Sequence, residues 1–333
     1  MKRLLLILAT GMLLGSCTSK PEWIKNFNSG SALGTTYHIT YISKDKLDYQ
    51  KEIDSVFEVI NRSMSTYMPT SDISKINMGD TTVVVDHMFR DVFELSKEIY
   101  DRSNGYFDPT VGSLVNAWGF GPGKQIALDS LKVDSILQYV GFDKVGISAN
   151  NLVTKADANI YFDFNAIAKG YAIDRLALML ENHGITDYLV EVGGEIVAKG
   201  ENKVKEKQWV VGIDNPEGDD KPKILINLKN TALASSGNYR KFRVDSITGN
   251  KFVHTIDPKT GYTKNSNILG ASVIANNCAK ADGYATALMA MDLEDSKKLL
   301  ENDPTIEAYI IYSDQQGKTQ SFVTKGFTAL LLE

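Results

Sequence analysis

Gly193-Gly194 stands between two apolar runs, Tyr188 to Val192 and Glu195 to Lys199. Paired glycines supply the positive φ that a two-residue β-turn requires, so this stretch predicts an antiparallel hairpin. Further strand-like runs occur at 31–42, 208–213, 223–228, 231–235, 251–256, 268–275, 306–312 and 320–324. Ile53, Val56, Phe57 and Ile60 recur at helical spacing within 48–65, as do Phe89, Val92, Phe93, Leu95, Ile99 and Tyr100 within 87–103. Start signals or apolar stripes predict more helices at 109–117, 129–140, 166–182, 277–291 and 294–302. Strands that arrive in groups between separated helices imply an α+β protein with mixed, largely antiparallel sheets packed with helices. No Gly-x-Gly-x-x-Gly turn follows an early strand, so a Rossmann dinucleotide fold has no support.

The N-terminus reads differently from the rest. Met1-Lys2-Arg3 precedes an apolar run from Leu4 to Leu14 and then Gly15-Ser16-Cys17, the pattern of an export signal too short to span a bilayer. Small residues before a cysteine resemble a bacterial lipoprotein processing site. The expectation is removal of residues 1–16, lipidation of Cys17, a tether over 17–30 and one catalytic unit over 31–333. Such a protein is exported and membrane-anchored, facing the periplasm or cell exterior.

A formal net charge of −5 with interspersed signs leaves no broad basic face, which argues against nucleic acid and requires any phosphate ligand to be gripped locally. Cys278 is the only cysteine besides Cys17, so neither an internal disulfide framework nor a thiolate metal cluster is available.

Two segments carry most of the chemistry. His254-Thr255-Ile256-Asp257-Pro258-Lys259-Thr260-Gly261 sets an imidazole three residues before a carboxylate and a Pro/Gly turn, which suits a polar loop site. Asp282 and Thr286 lie at i and i+4 of a predicted helix, so both oxygens face one way. Hard oxygen ligands beside a loop histidine suggest a Mg²⁺-assisted phosphate site; the plainer account of Asp282 and Thr286 is helix capping and back-bonding. Asp163 to Gly170 precedes the helix of 166–182, whose N-terminus and Lys169 could face an anion, unless Asp163 and Asn165 only cap it. Gly170 in the first turn suggests that something packs closely on the backbone. Ala117-Trp118-Gly119-Phe120-Gly121-Pro122-Gly123 could offer a ring face to a planar ligand, or be a loop pinned to the core by Trp118. Gly105 to Gly112 reads as a turn into a Pro-started helix, and Ser235-Ser236-Gly237-Asn238-Tyr239-Arg240 as a possible anion nest.

The order of these motifs over roughly residues 31–330 closely resembles the ApbE family, the FAD:protein FMN transferases, which are often exported lipoproteins. Matching segments are Leu33 to Tyr37, Met64 to Tyr67, Phe107 to Gly112, Trp118 to Gly121, Asp163 to Gly170, Val192 to Glu195, Ser236 to Tyr239, His254 to Gly261 and Asp282 to Thr286. The resemblance implies that Leu33, Tyr67, Ala117, Trp118, Gly119, Asp163, Lys169, Ser236 and the backbone near Ile256 contact FAD. It also implies Mg²⁺ held by Asp282, Thr286 and main-chain oxygens near Ala166 and Ala285. Leu33 stands where the family usually has Met, Phe164-Asn165 where Leu-Gly is common, and Ser235 where Thr is common.

The activity implied is Mg²⁺-dependent transfer of FMN from FAD to a threonine hydroxyl of an exported acceptor, a subunit of a flavin-dependent redox complex, with release of AMP. His254 is the expected base, and Asp257 is expected to orient the imidazole or the pocket. Two other activities fit the same motifs: a Mg²⁺-dependent FAD pyrophosphatase yielding FMN and AMP, and a non-catalytic FAD-binding lipoprotein.

Overall fold

The computed structural model describes residues 22–214, 224–238, 242–244, 251–264 and 266–332. The expected signal sequence and Cys17 lie outside the described residues, as do Tyr239 and Arg240 of the expected nest. The chain enters as β1 (Ile24–Ala32) and β2 (Thr35–Ser43). It then passes through α1 (Gln50–Met64), α2 (Asp72–Asn77), α3 (His87–Arg102), α4 (Gly112–Ala117) and α5 (Ser130–Leu137). The small hairpin β3 (Val145–Ile147) and β4 (Val153–Lys155) leads to α6 (Ala168–Asn182). A run of strands follows: β5 (Asp187–Val192), β6 (Glu195–Lys199), β7 (Trp209–Ile213), β8 (Ile224–Leu228), β9 (Thr231–Gly237), β10 (Phe242–Val244), β11 (Lys251–Val253) and β12 (Ile268–Ala275). The chain closes with α7 (Cys278–Ala290), α8 (Leu293–Asn302), β13 (Glu307–Ser313), β14 (Thr319–Val323) and α9 (Lys325–Thr328).

Eight strands form one sheet in the order β1-β2-β5-β6-β9-β12-β13-β14. Each neighbouring pair in it is antiparallel. This is the α+β architecture that the grouping of strands implies. Alternate residues commit to opposite faces, as a pleated strand demands. On β9, Ala232 and Ala234 turn towards the layer of α1, α3, α6 and α7, whereas Leu233 turns towards the β7–β8 hairpin. Trp209, Val211, Ile226 and Leu228 of that hairpin seal the second face. On α1, Ile53, Phe57, Ile60 and Met64 are buried at spacings of four, three and four, and each contributes about 1.5–3 kcal/mol by leaving water.

The Gly193-Gly194 hairpin forms as expected: Val192 pairs with Glu195, and both glycines have positive φ (61° and 99°). The single strand expected over 31–42 is instead two strands joined at Leu33-Gly34, both with positive φ. Residues 24–30, expected to be tether, belong instead to Ile24–Ala32, the edge strand of the main sheet. Its buried positions hold Asn26 and Asn28 rather than apolar residues, so hydrophobic alternation is silent there. The Asn26 amide donates to Ser43 Oγ at 2.8 Å, and Asn28 Nδ2 donates to Asp48 Oδ1 at 2.8 Å. The Pro-started helix is also corrected. Pro109 sits in a turn organised by Asp108, whose Oδ1 accepts the Thr110 amide and hydroxyl at 2.8 and 2.6 Å, and α4 begins only at Gly112. The strand expected over 251–256 ends at Val253, so His254 belongs to the following loop.

Candidate functional site

The site is built where α6 crosses α7. Gly170, in the first turn of α6, lies so close to α7 that an added Cβ would run into the Cys278 carbonyl and come within 2.8 Å of the Ala279 Cα. That contact is the close packing the glycine suggests. The Gly170 amide then donates not to its own helix but to Asp282 Oδ2 of α7, at 3.1 Å. Among the described residues no backbone N–H takes the carbonyl of Ala166, which the diverted Gly170 amide would otherwise have taken. In return Asp174 of α6 caps α7, with Oδ1 accepting from the Cys278 amide at 2.7 Å and Oδ2 from the Ala279 amide at 2.9 Å. Asn277 supplies the ordinary N-cap by accepting from the Lys280 amide. Asp282 therefore does not cap its own helix, and the capping account fails for it.

Charges concentrate at this crossing. Lys169 Nζ lies 2.6 Å from Glu195 Oε2, and Glu195 is set in place by the glycine turn that begins β6. Burial, then the charge of Glu195, push the Asp282 carboxyl well above the ordinary carboxylate range. Burial also pushes Asp174 up to about 6, against its two amide bonds. Burial disfavours the charged form of Lys169, but Glu195 and Asp282 outweigh it and hold the ammonium above the usual lysine value. Glu195 and Asp282 thus both act on one ammonium, and Asp174 acts in turn on Asp282.

The donor chemistry fits Mg²⁺. Every residue of α7 except Thr286 is buried, so the one partly open position on this helix is a hydroxyl one turn after Asp282. Among the described residues no three His, Cys, Asp or Glu side chains gather as a metal cluster, so a cation here must rely on mixed donors. Asp282, Thr286 and the Ala166 carbonyl are such a set of hard oxygens. Ala285 lies buried between Asp282 and Thr286 on the same helix.

Two further groups adjoin the crossing through residues 161–170. Tyr67 is exposed (60%), and partial burial, then the charges of Asp163 and Tyr161, raise its hydroxyl above the usual tyrosine value. Asn165 Nδ2 donates to Thr66 Oγ1 at 3.4 Å and ties the two loops. Asp163 shapes the approach to α6: its amide donates to the Pro109 carbonyl at 2.7 Å and its Oδ1 accepts from the Asn165 amide at 2.8 Å. Ile167, not Asp163 or Asn165, is the N-cap residue of α6. Leu33, at the β1–β2 turn, packs against both helical core clusters.

Trp118 is pinned and does not present an open ring. It is buried with Leu114, Val133, Val140 and Ile256, and its Nε1 donates to the Gly261 carbonyl at 2.9 Å. Ala117 is buried too, and Gly119 turns the chain at a φ of 84°. The Trp118 loop and the 254–262 loop are thereby one unit. Thr255 Oγ1 donates to Asn238 Oδ1 at 2.8 Å, tying the half-buried His254 and its neighbours to the end of β9. Asp257 spends its carboxylate on the turn: Oδ1 accepts from the Lys259 amide at 2.9 Å, and Oδ2 lies 3.5 Å from Lys264 Nζ. Those bonds shape the loop that carries His254. Ser235 and Ser236 lie within β9, paired with Ser272 and Ala271, so they do not start a nest. A polar cavity of about 380 Å³ beside Gly193 and Gly194 opens on the β7 face of the sheet, away from the α6–α7 crossing.

Two residues of the crossing carried no assigned role in the sequence: Asp174, hidden within an apolar helical stripe, and Glu195, visible only as the residue after the glycine pair.

Both the sequence and the fold have known counterparts. The ApbE family model matches residues 33–310. The FAD:protein FMN transferase of Haemophilus influenzae is 32% identical, over 97% of this chain and 95% of that protein. The Vibrio cholerae protein of the same name is 33% identical, over 94% and 95%. Among solved structures, the flavin transferase ApbE from Vibrio cholerae aligns with a TM-score of 0.83 at 30% identity, covering 93% of this chain and 100% of that one. The ApbE protein from Thermotoga maritima aligns at 0.81 and 27% identity, covering 93% and 100%. With the sequence match running from the Leu33 turn to β13 and the fold shared throughout, this chain belongs to the ApbE family.

Proposed function

We propose that this chain is an FAD:protein FMN transferase that joins the FMN phosphate of FAD to a threonine hydroxyl of an exported acceptor protein and releases AMP, with Mg²⁺ required. The observation that carries this reading is the α6–α7 crossing: Asp282, Lys169 and a helix N-terminus converge beside Thr286, the single α7 position that is not buried.

In the reaction a bond forms between the threonine oxygen and the FMN-side phosphorus, and the bond from that phosphorus to the AMP phosphate oxygen breaks. His254, on the loop after β11, is assigned to receive the threonine proton. Threonine is a weak nucleophile and the diphosphate is crowded with negative charge, so positioning and charge neutralisation must supply most of the rate. Lys169 and the positive end of the α6 dipole provide part of that charge. Held by Asp282, Thr286 and the carbonyls of Ala166 and Ala285, Mg²⁺ would polarise the phosphoryl oxygens and stabilise the departing AMP. Leu33, Tyr67, Asp163, Ser236 and the joined 117–119 and 254–262 loops are assigned to the FAD pocket.

Export and lipidation belong to the same proposal. Lys2, Arg3, the apolar run to Leu14 and Cys17 support a lipid-anchored protein, and among the described residues no helix is long and apolar enough to cross a membrane. The acceptor is assigned as an exported subunit of a flavin-dependent redox complex, modified at a threonine within an Asp-x-x-Ser/Thr-like motif.

Chromatography of FAD and Mg²⁺ incubated with the protein, with and without such an acceptor, tests the activity. Acceptor-dependent AMP together with flavin-labelled acceptor is the expected result. AMP with free FMN in the absence of acceptor would make the protein a pyrophosphatase, and unchanged FAD would make it a binding protein.

A further inference from the structure

We propose that Glu195 is a positioning residue that anchors the Lys169 ammonium away from Asp282 and so keeps that carboxylate open to a divalent cation. The inference rests on the metal reading above and adds a residue to it. Lys169 immediately precedes Gly170, whose amide bonds to Asp282 Oδ2 at 3.1 Å, so backbone geometry alone brings the lysine next to the carboxylate. A lysine stem is long and flexible, and this one has 27% of its side chain exposed, which leaves it room to pair with either acid. It pairs with Glu195 at 2.6 Å.

Glu195 is suited to hold it. Only 5% of its side chain is exposed, and it is the first residue of a strand whose register is locked by the Val192–Glu195 pair and the glycine turn. A buried ion pair is weak evidence for a stabilising role, since well-packed apolar residues often serve as well. Its effect on the neighbouring acid is the more telling one. Were Glu195 neutral, the acid left acting on the ammonium among the described residues would be Asp282, and a Lys169–Asp282 pair would compete directly with a cation. Asp174 is drawn to α7 instead, its two oxygens accepting from the Cys278 and Ala279 amides.

The test compares wild type, Glu195→Gln, Glu195→Asp, Lys169→Met and the double variant Glu195→Gln/Lys169→Met. The readout is the rise in thermal midpoint on titrating Mg²⁺ into protein saturated with FAD, in the absence of acceptor; it follows cation binding without relying on turnover. Glu195→Gln should weaken the apparent Mg²⁺ affinity by about tenfold or more, the usual scale for losing a partner behind a metal ligand. Glu195→Asp, which keeps the charge on a shorter stem, should fall between it and wild type. The double variant should recover most of the loss, since the competing ammonium is gone. A structural role for Glu195 would give the opposite, a second substitution that leaves affinity low or lowers it further, and that result overturns the proposal. So does wild-type affinity in Glu195→Gln. Absence of any Mg²⁺ response in wild type would remove the metal assignment itself, and this inference with it.

Discussion

Gly170 gives its amide to Asp282 across the α6–α7 contact, at 3.1 Å, and in doing so leaves the Ala166 carbonyl without a backbone partner among the described residues. One hydrogen bond thus joins two helices and diverts an amide from the local helical pattern. The exchange is possible only because residue 170 has no Cβ to meet the Cys278 carbonyl.

Gly170→Ala should therefore damage both fold and site. Overpacking of this kind costs about 1–3 kcal/mol, and here the obstructing atoms are backbone, which cannot rotate away. We expect a lower denaturation midpoint and weaker Mg²⁺ binding together; a variant as stable as wild type would show that the helices separate freely.

Asp282→Ala should abolish Mg²⁺-dependent AMP release while the protein remains folded. The Gly170 amide loses its buried acceptor, at a cost of about 1–3 kcal/mol, but removal of a buried carboxyl offsets part of that. Circular dichroism and an AMP assay on the same sample decide the matter, and near-normal turnover would end the assignment of Asp282 as a ligand.

For His254→Ala, FAD affinity should be retained and transfer slowed by about 10²–10⁴-fold, the range expected for loss of a general base. Single-turnover measurement of AMP release at saturating FAD reads this directly. An unchanged rate would assign the threonine proton to another group.

Trp118→Phe keeps most of the ring packing against Leu114, Val133 and Ile256 but deletes the bond from Nε1 to the Gly261 carbonyl. Loss of that bond leaves a buried carbonyl unpaired, at a cost of about 1–3 kcal/mol. Because the bond joins the 117–123 and 254–262 loops, the expected signature is a raised KM for FAD as well as a lower melting temperature.

Asp108 predicts a pH dependence of stability. Burial raises its carboxyl from 3.8 to about 6, against the bonds from Thr110. The folded state therefore holds this proton more tightly than the unfolded chain. Its contribution to stability is complete below about pH 4 and is lost as pH rises through about 6, by roughly 3 kcal/mol for a shift of about two units. Asp108→Asn should flatten that part of the stability curve in urea titrations between pH 4 and 7; an unaltered slope would place the titration elsewhere.

The sequence by itself determined the α+β class, the Gly193-Gly194 hairpin and the long helices α1, α3, α6 and α7, because each rests on local periodicity or on glycine conformation. It also marked Asp282 and Thr286 as one face of a helix. Edge strand β1 stayed hidden because its inward positions are asparagines satisfied by Ser43 and Asp48, partners that only folding supplies. Whether Asp282 capped its own helix, whether Trp118 showed its ring or buried it, and which acid Lys169 chose were decided by tertiary structure. Each depends on contacts between segments distant in the chain, such as the 112 residues separating Gly170 from Asp282, and local spacing carries no record of those distances.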